Sequence, residues 1–151
     1  MMSDTQTPHE MLDVLTLGIG GETFAIEATA VREILDLVPV TEVPGARSFV
    51  GGMVNVRGAI VPLADLRLQF GMPQTEATAD TRIVVLELDM DGEALPVGIL
   101  ADRVHEVTQI APAAMEQPPR TGMRWRPEFI RGIGMRGNDL VILPDLPRIL
   151  A

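Results

Sequence analysis

The 151 residues carry 21 acidic against 12 basic side chains, a net charge of −9 that works against binding nucleic acid or anionic lipid over a general surface. Hydrophobic residues make up 46% and aromatics only 3%, so Val, Ile, Leu and Met must build any interior, and the absence of cysteine excludes disulfides and thiolate metal sites. No stretch approaches the roughly 18 uninterrupted apolar residues of a membrane span, and the polar start MMSDTQTPHEMLD is unlike a signal peptide, so a soluble cytoplasmic protein is expected.

Residues 1–11 lack periodicity and read as a flexible leader. From Met11 onward, short runs rich in Val, Ile and Leu alternate with Gly, Pro or Asp: VLTLGI, TFAIEA, VREIL, VPVTEV, FVGGMVNV, AIVPLADL, RIVVLELD, EALPVGILA, RVHEVTQI, FIRGIGM and LVILPDL. Runs this short, with turn residues this close, predict an all-β barrel or sandwich. Asp91-Gly92 is the clearest hairpin turn, because both residues tolerate the positive φ angles that a two-residue turn requires. Pro62 lacks an amide hydrogen, which places its strand at an edge or bulge on that side. Helical turns are expected near 44–49, near 112–115 and from Pro144.

An internal echo organises the chain. FVGGMVNVRGAIVPLADL (residues 49–66) and FIRGIGMRGNDLVILPDL (residues 129–146) share Phe, a Gly, Arg-Gly, an apolar strand ending near a proline, and Asp-Leu, offset by 129 − 49 = 80 residues. Two similar β units in tandem are expected, each too small for a generous core and therefore buried against the other along an apolar seam. A first unit mainly over 22–80 and a second mainly over 81–146, with strand exchange between them allowed, is the expected division.

Catalytic constellations are missing. The two histidines are His9 and His105 and the two serines are Ser3 and Ser48, with no HExxH, P-loop or dinucleotide turn, so no enzyme is expected. DMDGE (residues 89–93) is a hairpin turn rather than a calcium loop, and no metal or cofactor is assigned. All basic residues are arginine, and Arg120, Arg124, Arg126, Arg131 and Arg136 cluster in one segment with Trp125. That segment reads as a solvated loop or a face for an acidic partner, with single-stranded nucleic acid as the alternative. NVRG (residues 55–58) reads as a hairpin tip whose arginine reaches solvent, or as a working arginine.

Four segments together resemble the CheW family of bacterial chemotaxis coupling proteins: residues 15–34, 49–71, 97–110 and 129–146, with N-x-R-G followed by I-V-P-x-x-D-L the most specific. The resemblance implies two SH3-like five-stranded β-barrels packed across a shared hydrophobic core, with a few short helices, as a single domain over 1–151. It implies a non-enzymatic adaptor that couples the cytoplasmic tip of chemoreceptors to the regulatory domain of the histidine kinase CheA. Such an adaptor would sit in ring-like arrays at the cytoplasmic side of the inner membrane, without inserting into it. A CheW-like adaptor of another chemosensory-type pathway, for example one serving a type IV pilus, has the same implied features. Receptor-contact positions of the family fall on Val31, Gly52, Asn55, Arg57, Val104 and Val107, and Glu33 falls on the glutamate that orients the hairpin arginine, here Arg57. The family glycine before the first groove valine is Arg103 in this chain.

Overall fold

The computed structural model describes residues 11–42, 50–117, 126–136 and 138–150. Ten strands follow in order: β1 (Leu12–Ile19), β2 (Glu22–Glu27), β3 (Val31–Asp36), β4 (Val50–Val56), β5 (Ala59–Ala64), β6 (Arg82–Met90), β7 (Glu93–Ala101), β8 (Arg103–Ile110), β9 (Ile130–Arg136) and β10 (Asp139–Pro144). Single helical turns at Leu66–Gln69 and Leu146–Ile149 follow β5 and β10, each capped by the aspartate before it, Asp65 or Asp145. Short 3₁₀ turns lie at Ala28–Ala30, Pro112–Ala114 and Pro127–Phe129. The expected turns near 112–115 and after Pro144 are present, and the one near 44–49 falls outside the described residues.

The strands form two five-stranded sheets, ordered β8-β1-β2-β10-β9 and β3-β6-β7-β5-β4. Each closes on itself where the segment after one edge strand meets the other edge. Thr41 and Met53 exchange backbone hydrogen bonds of 2.9 and 2.7 Å, and Glu116 and Ile133 exchange two of 2.8 Å. Gly52 makes the first closure possible. Its φ is 153°, and a Cβ there would stand 2.5 Å from Val40 Cγ1 and 2.6 Å from the Thr41 carbonyl oxygen.

The sheets do not divide the chain near residue 80. The echo is a true tandem repeat, since β4, β5 and the helical turn after them recur at β9, β10 and Leu146–Ile149 with an offset of 130 − 50 = 80. Each repeat, residues 12–69 and 82–149, is a hairpin, a strand, a second hairpin and a helical turn. Its first hairpin, however, lies in the sheet built by the other repeat: β1–β2 sits with β8, β9 and β10, and β6–β7 with β3, β4 and β5. Against the expected division at 22–80 and 81–146 with strand exchange allowed, β6–β7 pair with strands of the first unit and β1–β2 with strands of the second, so the repeats interlock. The physical reason lies in burial: in the other repeat's sheet each first hairpin covers one face with that sheet's small core and the other with the shared core, and short links, Ala28–Ala30 and Asp102, carry the chain from one sheet to the other.

Central strands are buried on both faces, which explains why they read as unbroken apolar runs. In β1, Leu15, Leu17 and Ile19 enter the core shared by the two sheets while Val14 enters the small core of its own sheet. In β6, Val84, Leu86 and Leu88 enter the shared core while Ile83 and Val85 enter the other small core with Val54, Val56, Val61 and Leu63. Ile142 faces the seam between its neighbours Val141 and Leu143, which face inward. Phe24, Phe70 and Phe129 meet in the seam at ring separations of 5.4 and 6.3 Å. Pro62 lies neither on an edge strand nor at a register shift, the two expected places. β5 is interior, but its ladder to β7 covers only Leu63 and Ala64, so the missing amide hydrogen falls outside it.

One charged pair is buried where the sheets meet. Arg67 and Asp65 are 6% and 7% exposed; Arg67 Nε and Nη2 each donate to an Asp65 oxygen at 2.9 Å, and Nη1 donates to the Thr75 carbonyl at 3.1 Å. The hydrogen bond to Asp65 raises the Arg67 pKa further above its ordinary value, against the opposing effect of burial. The second repeat keeps the capping Asp145 but has Pro147 in place of this arginine. Asp65→Ala is expected to cost about 3–5 kcal/mol in urea unfolding, because it leaves Arg67 buried without its main partner. Asp145→Ala, which removes only a cap, is expected to cost about 1 kcal/mol; equal losses would contradict the assignment.

Candidate functional site

Among the described residues, three hairpin turns, at Gly20-Gly21, Arg57-Gly58 and Asp91-Gly92, have two residues with positive φ. Such turns match the twist of the flanking strands and favour Asn, Asp or Gly. At two of them the residue before the turn strand ends does the same work: Asn55 Oδ1 accepts from Gly58 N at 2.9 Å, and Asp89 Oδ1 accepts from Gly92 N at 2.9 Å. Asn55 is thus first a turn residue, with its remaining amide on an exposed surface. Arg57 is the exception, a long side chain at φ 53° where left-handed backbone is costly without local compensation.

Arg57 is fixed on its other end by Glu33. Arg57 Nε lies 3.2 Å from both Glu33 carboxylate oxygens and Nη2 lies 3.1 Å from Oε1. This bonding to Glu33 raises the Arg57 pKa above its ordinary value. The guanidinium stays open to solvent, with 80% of the side chain exposed against 25% for Glu33. Because β3 and β4 are the two outer strands of one sheet order, the pair spans its two edges. Its contribution to stability is small for an exposed pair, so its effect is to hold the arginine in one orientation.

The valines are placed by two bulges. On β8, Val104 pairs with Leu17 and Val107 with Leu15, with a register shift between them. Two residues of β8 therefore oppose Thr16, whose Oγ1 donates to the Glu106 carbonyl at 3.0 Å and accepts from Glu106 N at 3.4 Å. Three positions apart, the valines would otherwise face opposite sides; the bulge turns both toward the side of Leu15 and Leu17, which enter the shared core. Val104 packs onto that core, and Val107 remains 62% exposed. On β3, Val31 pairs with Leu86 and Ile34 with Val84, again three apart across a register shift, and both partners are shared-core residues. Val31 packs onto the core and Ile34 is 43% exposed.

The structure joins Arg57, Glu33 and Asn55 around one hairpin tip and sets Val31, Val104 and Val107 on the shared-core side of two edge strands. Gly52 is different: it is buried beneath Val40 and Thr41, so its glycine is required by the closing of the sheet. Sequence reasoning missed Ile34, because an alternation of two places Ile34 and Val31 on opposite faces and no residue type announces the bulge that reunites them. It missed Thr16 for the same reason. The echo carries a one-residue slip between its Gly and its Arg-Gly, and the strand pairing shows what the slip does. Arg136 pairs with Asp139 as Val56 pairs with Ala59, so Arg136 is the last strand residue and not the turn residue that Arg57 is.

The basic segment does not present free cations where it is described. Every arginine whose side chain is described lies within 4.0 Å of a carboxylate, including Arg126 with Glu128 and Arg131 with Glu27. Arg120, Arg124 and Trp125 lie outside the described residues. His105 is an exposed strand residue, no group of metal-binding side chains occurs among the described residues, and none of their helices is long and apolar enough to cross a membrane.

The bulge carries a test. Thr16→Val keeps the shape of a side chain that is 1% exposed but removes both contacts to Glu106. A loss of about 1–3 kcal/mol is expected in chemical unfolding, together with amide chemical-shift changes running from Val104 to Val107. Shift changes confined to residue 16 would show that the hydroxyl does not hold the bulge.

The CheW-like domain model matches residues 13–151. Chemotaxis protein CheW of Klebsiella aerogenes is 29% identical over 139 residues, 92% of this chain and 81% of that protein. Protein PilI of Pseudomonas aeruginosa is 28% identical over 167 residues, 93% of this chain and 90% of that protein. The crystal structure of the scaffolding protein TtCheW from Thermoanaerobacter tengcongensis superposes with a TM-score of 0.82 at 26% identity, covering 94% of this chain and 89% of the other. The seam-facing strands, the two closed sheets and these similarities lead to one conclusion: the chain belongs to the CheW-like domain family.

Proposed function

We propose that this member of a chemotaxis scaffold family is a coupling adaptor that acts by binding alone. It holds the cytoplasmic tip of a chemoreceptor on the surface formed by Arg57 and the exposed valines, and the regulatory domain of the histidine kinase CheA on another face. Receptor state then controls the kinase through their shared attachment. The observation that carries this reading is Arg57 itself. A left-handed turn position favours Asn or Gly, yet it holds an exposed arginine pinned on one side by Glu33. Backbone strain retained under an oriented, solvent-facing cation fits recognition better than folding.

The partner's chemistry follows. A helical bundle offers apolar ridges for Val107 and Val31 to cover, and the outward edge of the Arg57 guanidinium supplies a directional hydrogen bond that sets register. A second reading keeps the same site and changes the pathway: a CheW-like adaptor of another chemosensory-type system, for example one serving a type IV pilus. The 28% identity to Protein PilI is the observation behind it. Copurification with a named receptor and kinase separates the two.

Arg57→Asn tests the proposal, since Asn tolerates the turn geometry that Arg does not favour. The thermal midpoint is expected to stay within about 3 °C of the parent or to rise, the shift equivalent to about 1 kcal/mol in a chain of this size. Binding to a receptor cytoplasmic fragment is expected to weaken by about ten- to a hundredfold, the loss of one charge-assisted hydrogen bond. Unchanged receptor binding by a folded Arg57→Asn variant would sink the proposal.

A further inference from the structure

The interlocked topology has a consequence for association. Each sheet is complete only when it contains the first hairpin of one repeat and the remaining strands of the other. The parallel ladders that join them, Val141–Thr23 and Ile142–Phe24 in one sheet and Leu63–Gly98 and Ala64–Ile99 in the other, all run between repeats. Residues 70–81 join the two repeats; Phe70 and Met72 lie in the shared core and Thr81 is buried, while the stretch 73–80 between them is all exposed. Outside ion-pair and hydrogen-bond contacts such as Arg67 to Thr75 and Arg103 to Asp80, 3.1 Å each, it contributes nothing to the buried cores.

Nothing in these contacts requires the two repeats to belong to one chain. We propose that they assemble in trans as well as in cis, so that a second copy of this chain is a partner and the product is an intertwined dimer. In that dimer repeat one of each chain completes its sheets with repeat two of the other. The shared core and the two small cores are the same as in the single chain, and only the path of the connector differs, so concentration and connector length set the balance. Val31, Glu33 and Arg57 lie in repeat one and Val104 and Val107 in repeat two. On the receptor-site reading above, each site of the dimer would draw residues from both chains; the intertwining itself does not depend on that reading.

Two full-length variants test it. One carries Leu15→Asp and Leu17→Asp in β1; the other carries Val84→Asp and Leu86→Asp in β6, all positions 0–4% exposed. Each alone lacks one functional first hairpin and is expected to be unfolded. Co-expressed with different affinity tags, they are expected to copurify as a soluble one-to-one complex. It should have twice the 16.3 kDa of one chain and about half the native β signal per chain, because the wild-type repeats of the two chains form one complete unit. Failure of the co-expressed pair to give any folded species would overturn the proposal. So would either variant folding by itself, since each sheet would then not need the exchanged hairpin.

Discussion

The rest of the structure depends on the apolar seam in which Leu15, Leu17, Phe24, Leu86 and Ile99 meet. An antiparallel strand ordinarily buries one face and wets the other. Here the central strands of both sheets bury both, one face into a small private core and one into the seam. With only four phenylalanines and one tryptophan in the chain, aliphatic residues do this work, and their branched shapes suit a pleated surface covered on both sides. A sheet of this size has too little private interior to stand alone, so the seam is what makes either one stable. The edge strands inherit their positions from it: β3 and β8 lie beside the seam strands β6 and β1, and their bulges aim Val31, Ile34, Val104 and Val107 toward its rim.

The two repeats use one plan and differ where function is proposed. Asn55 of the first hairpin stands where the second has Met135, and Arg57 stands in the turn where the second repeat has already placed its arginine in the strand. Arg67 secures the first helical turn to the connector, whereas Pro147 occupies that place in the second. Duplication supplied the scaffold, and a few substitutions at equivalent points made one end of it distinct. That division of labour fits a scaffold that has to meet different partners with different faces.

Much of this was legible in the residues. The short runs VLTLGI and RIVVLELD announce strands, Asp91-Gly92 announces its turn, and the repeated Phe…Arg-Gly…Asp-Leu announces a duplicated hairpin. Strand exchange between the units was allowed, but which hairpins exchange was not legible, since periodicity reports which side of a strand is apolar and never which sheet it joins. Pro62 misled for a related reason: it marks where a ladder ends, which an interior strand tolerates as well as an edge does. The pair Glu33–Arg57 came from resemblance to a family, while Ile34 and Thr16 depend on bulges that leave no mark in residue type.

If the seam is the common support, the two sheets must open together. Native-state hydrogen exchange of the amides in the β1–β2 and β6–β7 ladders tests this most directly, followed with increasing denaturant below the unfolding transition. The account predicts one opening free energy and one denaturant slope for both ladders, equal to those of global unfolding. Exchange of one ladder at a distinctly lower free energy, while the other stays protected, would show that the sheets are independent and would contradict it.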